Sequence, residues 1–286
     1  MAKQKLVMIG NGMAGLRTIE EILERSQSQF DITIIGKEPY PNYNRIMLSN
    51  ILQKKMTVED TIMNSYDWYQ ENNVELINND PVEKVDKENK IVTTSKGIEV
   101  EYDICIFATG SKAFVLPIPG SNLPSVIGWR TIDDTNKMIE IAQTKKRAVV
   151  IGGGLLGLEC ARGLLDQGME VTVLHLADWL MEMQLDRKAG DMLKADLEKQ
   201  GMKIELQANS KEIIGDKDVE AIKLADGRVI ETDLVVMAVG IRPYTEVAKD
   251  SGLDVNRGIV VNDYMQTSDS HIYAVGECAE HDGKVY

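Results

Sequence analysis

One pattern occurs twice in this chain and constrains its fold more than any other feature. LVMIGNGMAGL, beginning at Leu6, recurs as AVVIGGGLLGL, beginning at Ala148, and the first glycines, Gly10 and Gly152, lie 142 residues apart. Each copy is an apolar, β-rich run, then G-x-G-x-x-G, then a helical periodicity. Leu16, Ile19, Ile22 and Leu23 fall on one face of the first helix; Leu155, Leu158, Ala161 and Leu165 fall on one face of the second. A second strand follows each helix, DITIIG ending at Gly36 and EVTVLH ending at His175. Each copy then closes on a strand and a glycine, YDICIFATG at Gly110 and TDLVVMAVG at Gly240. A period this long excludes a solenoid and predicts two Rossmann-like α/β domains.

The segment MQTSDSHIYAVGECAEH, Met265 to His281, has no counterpart in the repeat. It predicts that the chain returns to the first domain, making that domain discontinuous: residues 1–118 and 244–286, with residues 119–243 inserted. The Pro/Gly punctuation at Leu116–Gly120 and Gly240–Pro243 marks the two expected crossings.

The glycines have a chemical reason. A dinucleotide pyrophosphate rests on a helix N-terminus, where unpaired backbone N–H groups and the positive dipole end meet it. Gly10 and Gly152 permit the turn, Gly12 and Gly154 admit the phosphates, and Gly15 and Gly157 let helix approach strand. Two such folds imply two dinucleotides, and a flavin paired with a nicotinamide is the economical combination because hydride passes between them. Glu38 is the acid nearest the first ribose position. After His175 no Arg or Lys appears before Arg187, which favours NADH over NADPH.

Composition narrows the partners. With 32 Lys+Arg against 45 Asp+Glu the net charge is −13, which argues against nucleic acid and anionic lipid. No apolar run approaches the length of a membrane helix. The apolar start mimics a signal peptide, but its glycines and following charges make it a first strand and helix. Cys105, Cys160 and Cys278 are isolated. They provide no disulfide framework and no metal or cluster cradle, so no metal site is expected, and such usage fits a cytoplasmic location.

Four segments carry a resemblance: EPYPNYNRIMLS (Glu38–Ser49), ATGSKAFVLPIPG (Ala108–Gly120), VTVLHLADWLMEMQLD (Val171–Asp186) and YAVGECAEHDGKVY (Tyr273–Tyr286). With the paired glycine motifs they resemble the two-dinucleotide-domain flavoprotein reductases, glutathione-reductase-like in fold. Within that group they look most like the N-terminal flavin module of NADH-dependent assimilatory nitrite reductase large subunits.

The resemblance implies that Gly10, Asn11, Gly12, Met13, Ala14 and Gly15 hold the FAD pyrophosphate and that Lys37 and Glu38 flank its ribose. Arg45 would reach the phosphates or flavin edge. Ala108, Thr109 and Gly110 would line the flavin domain with Gly276, Arg130 would lie near the cofactor, and Glu277 would accept from a ribityl hydroxyl. Gly152, Gly154, Leu155, Leu156 and Gly157, with His175 and Gly240, would hold NADH, and Glu159 would sit by the nicotinamide as the catalytic residue. Lys37, Asn50 and Met183 depart from ferredoxin-reducing relatives.

Thiol-using members carry a cysteine pair on the helix after the first glycine motif, or one cysteine near Tyr40–Arg45, and neither region has one. The expected chemistry is therefore NADH to FAD and onward to a downstream acceptor domain or small subunit. Sirohaem and an iron–sulfur cluster are expected only in a further C-terminal part. Because the chain stops at Tyr286, it reads as an N-terminal fragment that folds but holds FAD weakly. The alternatives are a rubredoxin- or ferredoxin-type reductase and a non-enzymatic nucleotide-binding redox sensor.

Overall fold

A computed structural model describes residues 3–26 and 28–285; the terminal residues of the expected first domain, Met1 and Tyr286, lie outside them. In chain order the elements that build the two main sheets are β1 (Gln4–Ile9), α1 (Met13–Ser26), β2 (Phe30–Ile35), α2 (Leu48–Leu52), β3 (Val74–Ile77), β4 (Ile104–Phe107), β5 (Val126–Gly128), α3 (Ile132–Thr144), β6 (Arg147–Ile151), α4 (Leu155–Asp166), β7 (Glu170–Leu174), α5 (Arg187–Lys199), β8 (Lys203–Glu205), β9 (Leu234–Met237) and β10 (Ile272–Ala274). Two units result. One comprises Met1–Asn44, Ile62–Lys112 and Arg242–Tyr286; the other comprises Arg45–Thr61 and Ala113–Ile241.

The first unit carries a parallel sheet in the order β10-β4-β1-β2-β3. Alternation along β1 explains its two-sided burial. Leu6 and Met8 face α1, whose Leu16 and Ile19 are buried and whose Ile22 and Leu23 pack partly against them. Val7 and Ile9 face the opposite layer with Val82, Val85 and Val92, which belong to an antiparallel three-stranded sheet. Burying Leu16 and Ile19 contributes about 1.5–3 kcal/mol each.

The second unit repeats the plan in the order β5-β9-β6-β7-β8. Val149 and Ile151 pack with Ile213, Ile222 and Leu224 of a second antiparallel sheet. The burial of α4 corrects the expected helical face. Leu155 is 63% exposed, and Leu158, Ala161 and Leu164 form the buried stripe.

The return segment does have a positional counterpart. β10 borders β4 in the first unit, as β5 borders β9 in the second. The same place is filled from the far end of the chain in one unit and from the near end in the other. A five-strand parallel sheet with right-handed crossovers leaves that edge open to either source.

The division between units departs from the expected one at two places, the outgoing crossing and Arg45–Thr61. The outgoing crossing lies at Ser111–Ala113 rather than Leu116–Gly120, whereas the return, at Ile241–Pro243, falls within the expected Gly240–Pro243; these two stretches form a small two-stranded sheet. Leu116–Gly120 belongs to the second unit, because Ile213 donates its N–H to the Pro119 carbonyl at 2.8 Å. Arg45–Thr61, expected in the first domain, also belongs to the second unit. There α2 packs on α3 and α4, the Gln167 side chain donates to the Leu52 carbonyl at 2.7 Å, and Gly163 leaves a notch in which a Cβ would stand 2.5 Å from Leu52 Cγ. Among the described residues no helix is long and apolar enough to cross a membrane.

Glu280 is a buried carboxylate that closes the turn before Ile259–Val260, the strand that pairs with its own. The N–H of Gly258 donates to it at 2.8 Å, the Asn256 amide at 2.8 Å and the N–H of Arg257 at 2.7 Å. These donors, Gly258 foremost, hold its carboxyl below the ordinary carboxylate range against the effect of burial. A lowered folded-state pKa contributes stability above the ordinary carboxylate pKa, and that stability disappears as pH falls through the folded value. Glu280→Gln should cost about 2 kcal/mol near neutrality, read by urea unfolding. The gap from wild type should close in acid; a gap that persists there would mean the charge is not what stabilises the turn.

Candidate functional site

The two glycine-bearing loops are built alike, bond for bond. In the first unit Gly10 donates its N–H to the Ile35 carbonyl and Ala108 donates to Ile9, both at 2.8 Å. In the second Gly152 donates to Leu174 and Ala238 to Ile151, again both at 2.8 Å. The first glycines have φ of +113° and +123°, values that L side chains rarely adopt. A Cβ on either would lie 2.3 Å from a carbonyl oxygen, that of Ala108 or of Ala238. The first glycine is thus a packing requirement of the sheet itself.

The second glycine differs. Nothing lies within 4 Å of a Cβ built on Gly12 or on Gly154, and neither has a positive φ. Their carbonyls open the helices, accepting from Leu16 and Leu158 at 3.0 Å. The third glycines close the approach of helix to strand. A Cβ on Gly15 would stand 2.8 Å from Ala108 Cβ, and one on Gly157 would stand 2.0 Å from the Gly152 carbonyl oxygen.

The state of the helix N-termini separates these helices from their neighbours. Thr131 caps α3 in a capping box with Asp134, and Asp186 caps α5. Gly154 at the start of α4 offers no side-chain cap. The first-turn N–H groups of such a helix have no partner within the helix and are suited to an anion.

The expected residues of the first unit have distinct placements. Met13 and Ala14 open α1, and Gly276, at φ +75°, packs against Ala14 so closely that a Cβ would be 2.7 Å from Ala14 Cβ. The return segment is thereby seated on the first loop. Glu277 accepts a 2.8 Å hydrogen bond from Ser111. Glu38 accepts one of 2.6 Å from the Tyr43 hydroxyl, and Lys37 is exposed with its ammonium 5.1 Å above the Tyr244 ring. The buried Asn78 Oδ1 has no hydrogen-bond partner among the described residues, and a Cβ on Gly36 would lie 2.9 Å from it. Gly110 stands at φ +64° with open space beside it.

In the second unit Leu155 and Leu156 are 63% and 39% exposed at the start of α4. Gly240 is open at φ +111°. Glu159 is half-buried on α4 and makes no hydrogen bond or ion pair among the described residues. Arg45 does not share a unit with the first loop; it donates to the Arg130 carbonyl at 2.9 Å, and the Arg130 N–H donates to Asp134.

Three side chains expected at a ligand face other partners. The Asn11 amide oxygen accepts from the Tyr69 hydroxyl at 2.9 Å, and its carbonyl accepts from the Asn42 side chain at 3.0 Å. The Thr109 hydroxyl donates to the Tyr244 carbonyl at 2.6 Å, tying the returning chain to the end of β4. His175 is buried, and both ring nitrogens are engaged by protein. Polar groups this deep must find partners, and the nearest ones are structural. Tyr69 and Asn42 were not anticipated from sequence, since nothing in their spacing relates them to the motif. Gly153 lies within the Gly152–Gly157 stretch expected to hold NADH, at a position where the motif itself does not require a glycine.

All three cysteines are free and buried. Burial pushes each thiol up from its ordinary value, so none is a ready thiolate. Among the described residues no group of three or more His, Cys, Asp or Glu is placed to hold a metal ion.

The profile of the family described as pyridine nucleotide-disulphide oxidoreductase matches residues 4–285. The chain is 56% identical over its whole length to a nitrite reductase [NAD(P)H] of Bacillus subtilis, covering 36% of that protein. It is 46% identical to the assimilatory nitrate reductase electron transfer subunit of the same organism, again over its whole length and covering 37% of that protein. It therefore spans just over a third of these curated relatives. Among solved structures, NADH:rubredoxin oxidoreductase from Clostridium acetobutylicum is 32% identical with a TM-score of 0.83, over 99% of this chain and 70% of that one. A ferredoxin reductase from Rhodopseudomonas palustris is 29% identical with a TM-score of 0.91, over 98% of this chain and 69% of that one.

The first and second glycines of each loop should separate experimentally. Gly10→Ala and Gly152→Ala should destabilise by about 3 kcal/mol or more through backbone overlap. Gly12→Ala and Gly154→Ala should unfold within about 1 kcal/mol of wild type and instead weaken dinucleotide binding. Urea unfolding paired with ligand titration distinguishes the two classes, and equal destabilisation in all four would contradict the division.

Proposed function

The chain belongs to the pyridine nucleotide-disulphide oxidoreductase family, as an NAD(P)H-dependent FAD oxidoreductase module, and we propose that it is the electron-entry module of an NADH-dependent nitrite reductase. In this reading the first unit holds FAD and the second binds NADH. The observation that carries it is the duplicated loop, with its open second glycine ahead of a dinucleotide helix in each unit. The residues fit the two ligands. Backbone N–H groups from Gly12 to Gly15 would hold the FAD pyrophosphate, and those from Gly154 to Gly157 the NADH pyrophosphate. Glu38 and the unpartnered Asn78 oxygen stand at the strand ends where a ribose and adenine would lie.

FAD, when bound, supplies the acceptor for a hydride and the means to pass the two electrons onward. The protein's part is to bind and orient. Glu277, held by Ser111, presents a carboxylate beside the Gly276 turn for a ribityl hydroxyl. Leu155 and Leu156 offer an apolar surface at the start of the NADH helix. Glu159 has a carboxylate uncommitted to other groups among the described residues, and in this reading it orients the nicotinamide. The buried, raised thiols speak against a disulfide route, so the electrons leave from the flavin to a separate redox partner.

Nitrite as the final acceptor rests on the 56% identity to a protein of that name. The second reading, a reductase of small iron–sulfur proteins, is favoured by the structural likeness to ferredoxin and rubredoxin reductases. The two readings part on the acceptor. The FAD-loaded chain should reduce a rubredoxin or ferredoxin poorly, and should support nitrite reduction when joined to sirohaem and iron–sulfur domains; the reverse pattern favours the second reading.

Anaerobic stopped-flow mixing of the FAD-loaded chain with NADH should bleach the flavin absorption. Glu159→Ala should slow that bleaching about tenfold or more at saturating NADH while leaving FAD content unchanged. No bleaching at all would favour a nucleotide-binding sensor, and an unaltered rate would remove Glu159 from the reaction.

A further inference from the structure

We infer that His175 and Glu182 are positioning residues that hold the second dinucleotide loop in its binding shape by gripping Gly153 from behind; this rests on reading that loop as the NADH cradle. Gly153 lies between the first two motif glycines, and both its backbone groups are held. Its N–H donates to His175 Nδ1 at 3.0 Å. Its carbonyl accepts from the Met181 N–H at 3.1 Å. The second ring nitrogen, Nε2, lies 2.9 Å from Glu182 Oε2.

This arrangement fixes the tautomer. Nδ1 accepts an N–H and so carries no proton, which places the ring proton on Nε2, donated to the carboxylate. The imidazole is a strut with one end on the loop and the other on the turn that contains Met181 and Glu182. Its backbone is anchored as well. The His175 N–H donates to the Glu205 carbonyl, and the His175 carbonyl accepts from Ala208, both at 2.9 Å. Met181 turns the chain at φ +57°, which directs its N–H onto the Gly153 carbonyl.

The strut also explains an unassigned glycine. A Cβ on Gly153 would lie 2.7 Å from His175 Cγ and 2.7 Å from Leu180 Cδ2. A side chain there would displace the ring, so the loop reads Gly-Gly-Gly. In the first unit Asn11 stands at the corresponding place and braces its loop with its own side chain, through Tyr69 and Tyr40. Each cradle is thus stiffened behind the phosphate-facing backbone, by an internal amide in one and by a histidine just past the neighbouring strand in the other. Stiffening lowers the ordering cost that a ligand must otherwise meet.

The test compares His175→Ala, His175→Asn, Glu182→Ala and wild type in the FAD-loaded chain. His175→Asn keeps an acceptor near the place of Nδ1. His175→Ala should weaken NADH binding about tenfold, the loss of one well-made buried hydrogen bond and its order, with little change in the flavin reduction rate at saturating NADH. His175→Asn should recover most of that loss, and Glu182→Ala should fall between. Amide hydrogen exchange should show Gly153 protected in wild type and released in His175→Ala, and imidazole nitrogen resonances should report the neutral Nε2–H form.

Unchanged affinity with unchanged Gly153 protection in His175→Ala would overturn the inference. So would an Asn variant no better than Ala, or a wild-type ring protonated on Nδ1. Failure of wild type to bind NADH would instead count against the cradle assignment, and the exchange and tautomer measurements would still decide whether the strut exists.

Discussion

The structure depends on one backbone contact made twice. The carbonyl of Ala108 presses on Gly10, and that of Ala238 presses on Gly152, leaving no room for a Cβ. Each contact joins the end of one strand to the turn leaving another, at the place where the chain must rise from sheet to helix. With the turn held there, the helix starts at a set point and its first N–H groups face the strand ends. The helix then lies close enough to its strand that only glycine is accepted at Gly15 and Gly157. Sheet order, helix placement and the open second glycine all follow from that crowding.

The two copies share the contact and differ in what stands behind it. Around the first loop Tyr69 links Asn11 and Asn42 in a buried polar network. Around the second His175, Met181 and Glu182 converge on Gly153. A duplicated fold conserves backbone geometry through the sheet's own hydrogen bonds, whereas side chains at the rear of each loop only need to satisfy whatever polar groups lie there. The same cradle can therefore be braced by unrelated residues.

The chemistry is shaped as much by what the core removes from use. Cys105, Cys160 and Cys278 are buried and their thiols raised, so a family whose description includes disulphide chemistry is represented here by a chain whose thiols are packing groups. Thr109, at the end of β4, spends its hydroxyl on the returning chain, and Gly276 seats that chain against α1. The first unit is completed by residues more than 260 positions from its opening strand, which makes the return segment part of the binding fold rather than an appendage.

Much of this was legible in the primary structure because its signals are local and periodic. The strand–glycine–helix pattern, the apolar run of Leu6 to Ile9 and the return at Met265–His281 are written in consecutive residues, and each appears in the fold. The dinucleotide loops were found because glycine is the only residue tolerated at positive φ beside a carbonyl, so its spacing carries the geometry. The allegiance of Arg45–Thr61 was not legible, because it is decided by Leu52 entering the notch at Gly163, over a hundred residues away. Nor was the contact of His175, which the resemblance assigned to NADH and whose ring accepts from the loop at Gly153. Sequence alone determined which backbone turns this protein must make. Tertiary structure decided which side chains are left to meet a ligand, because buried polar groups take the nearest available partner and that partner is brought near only by folding.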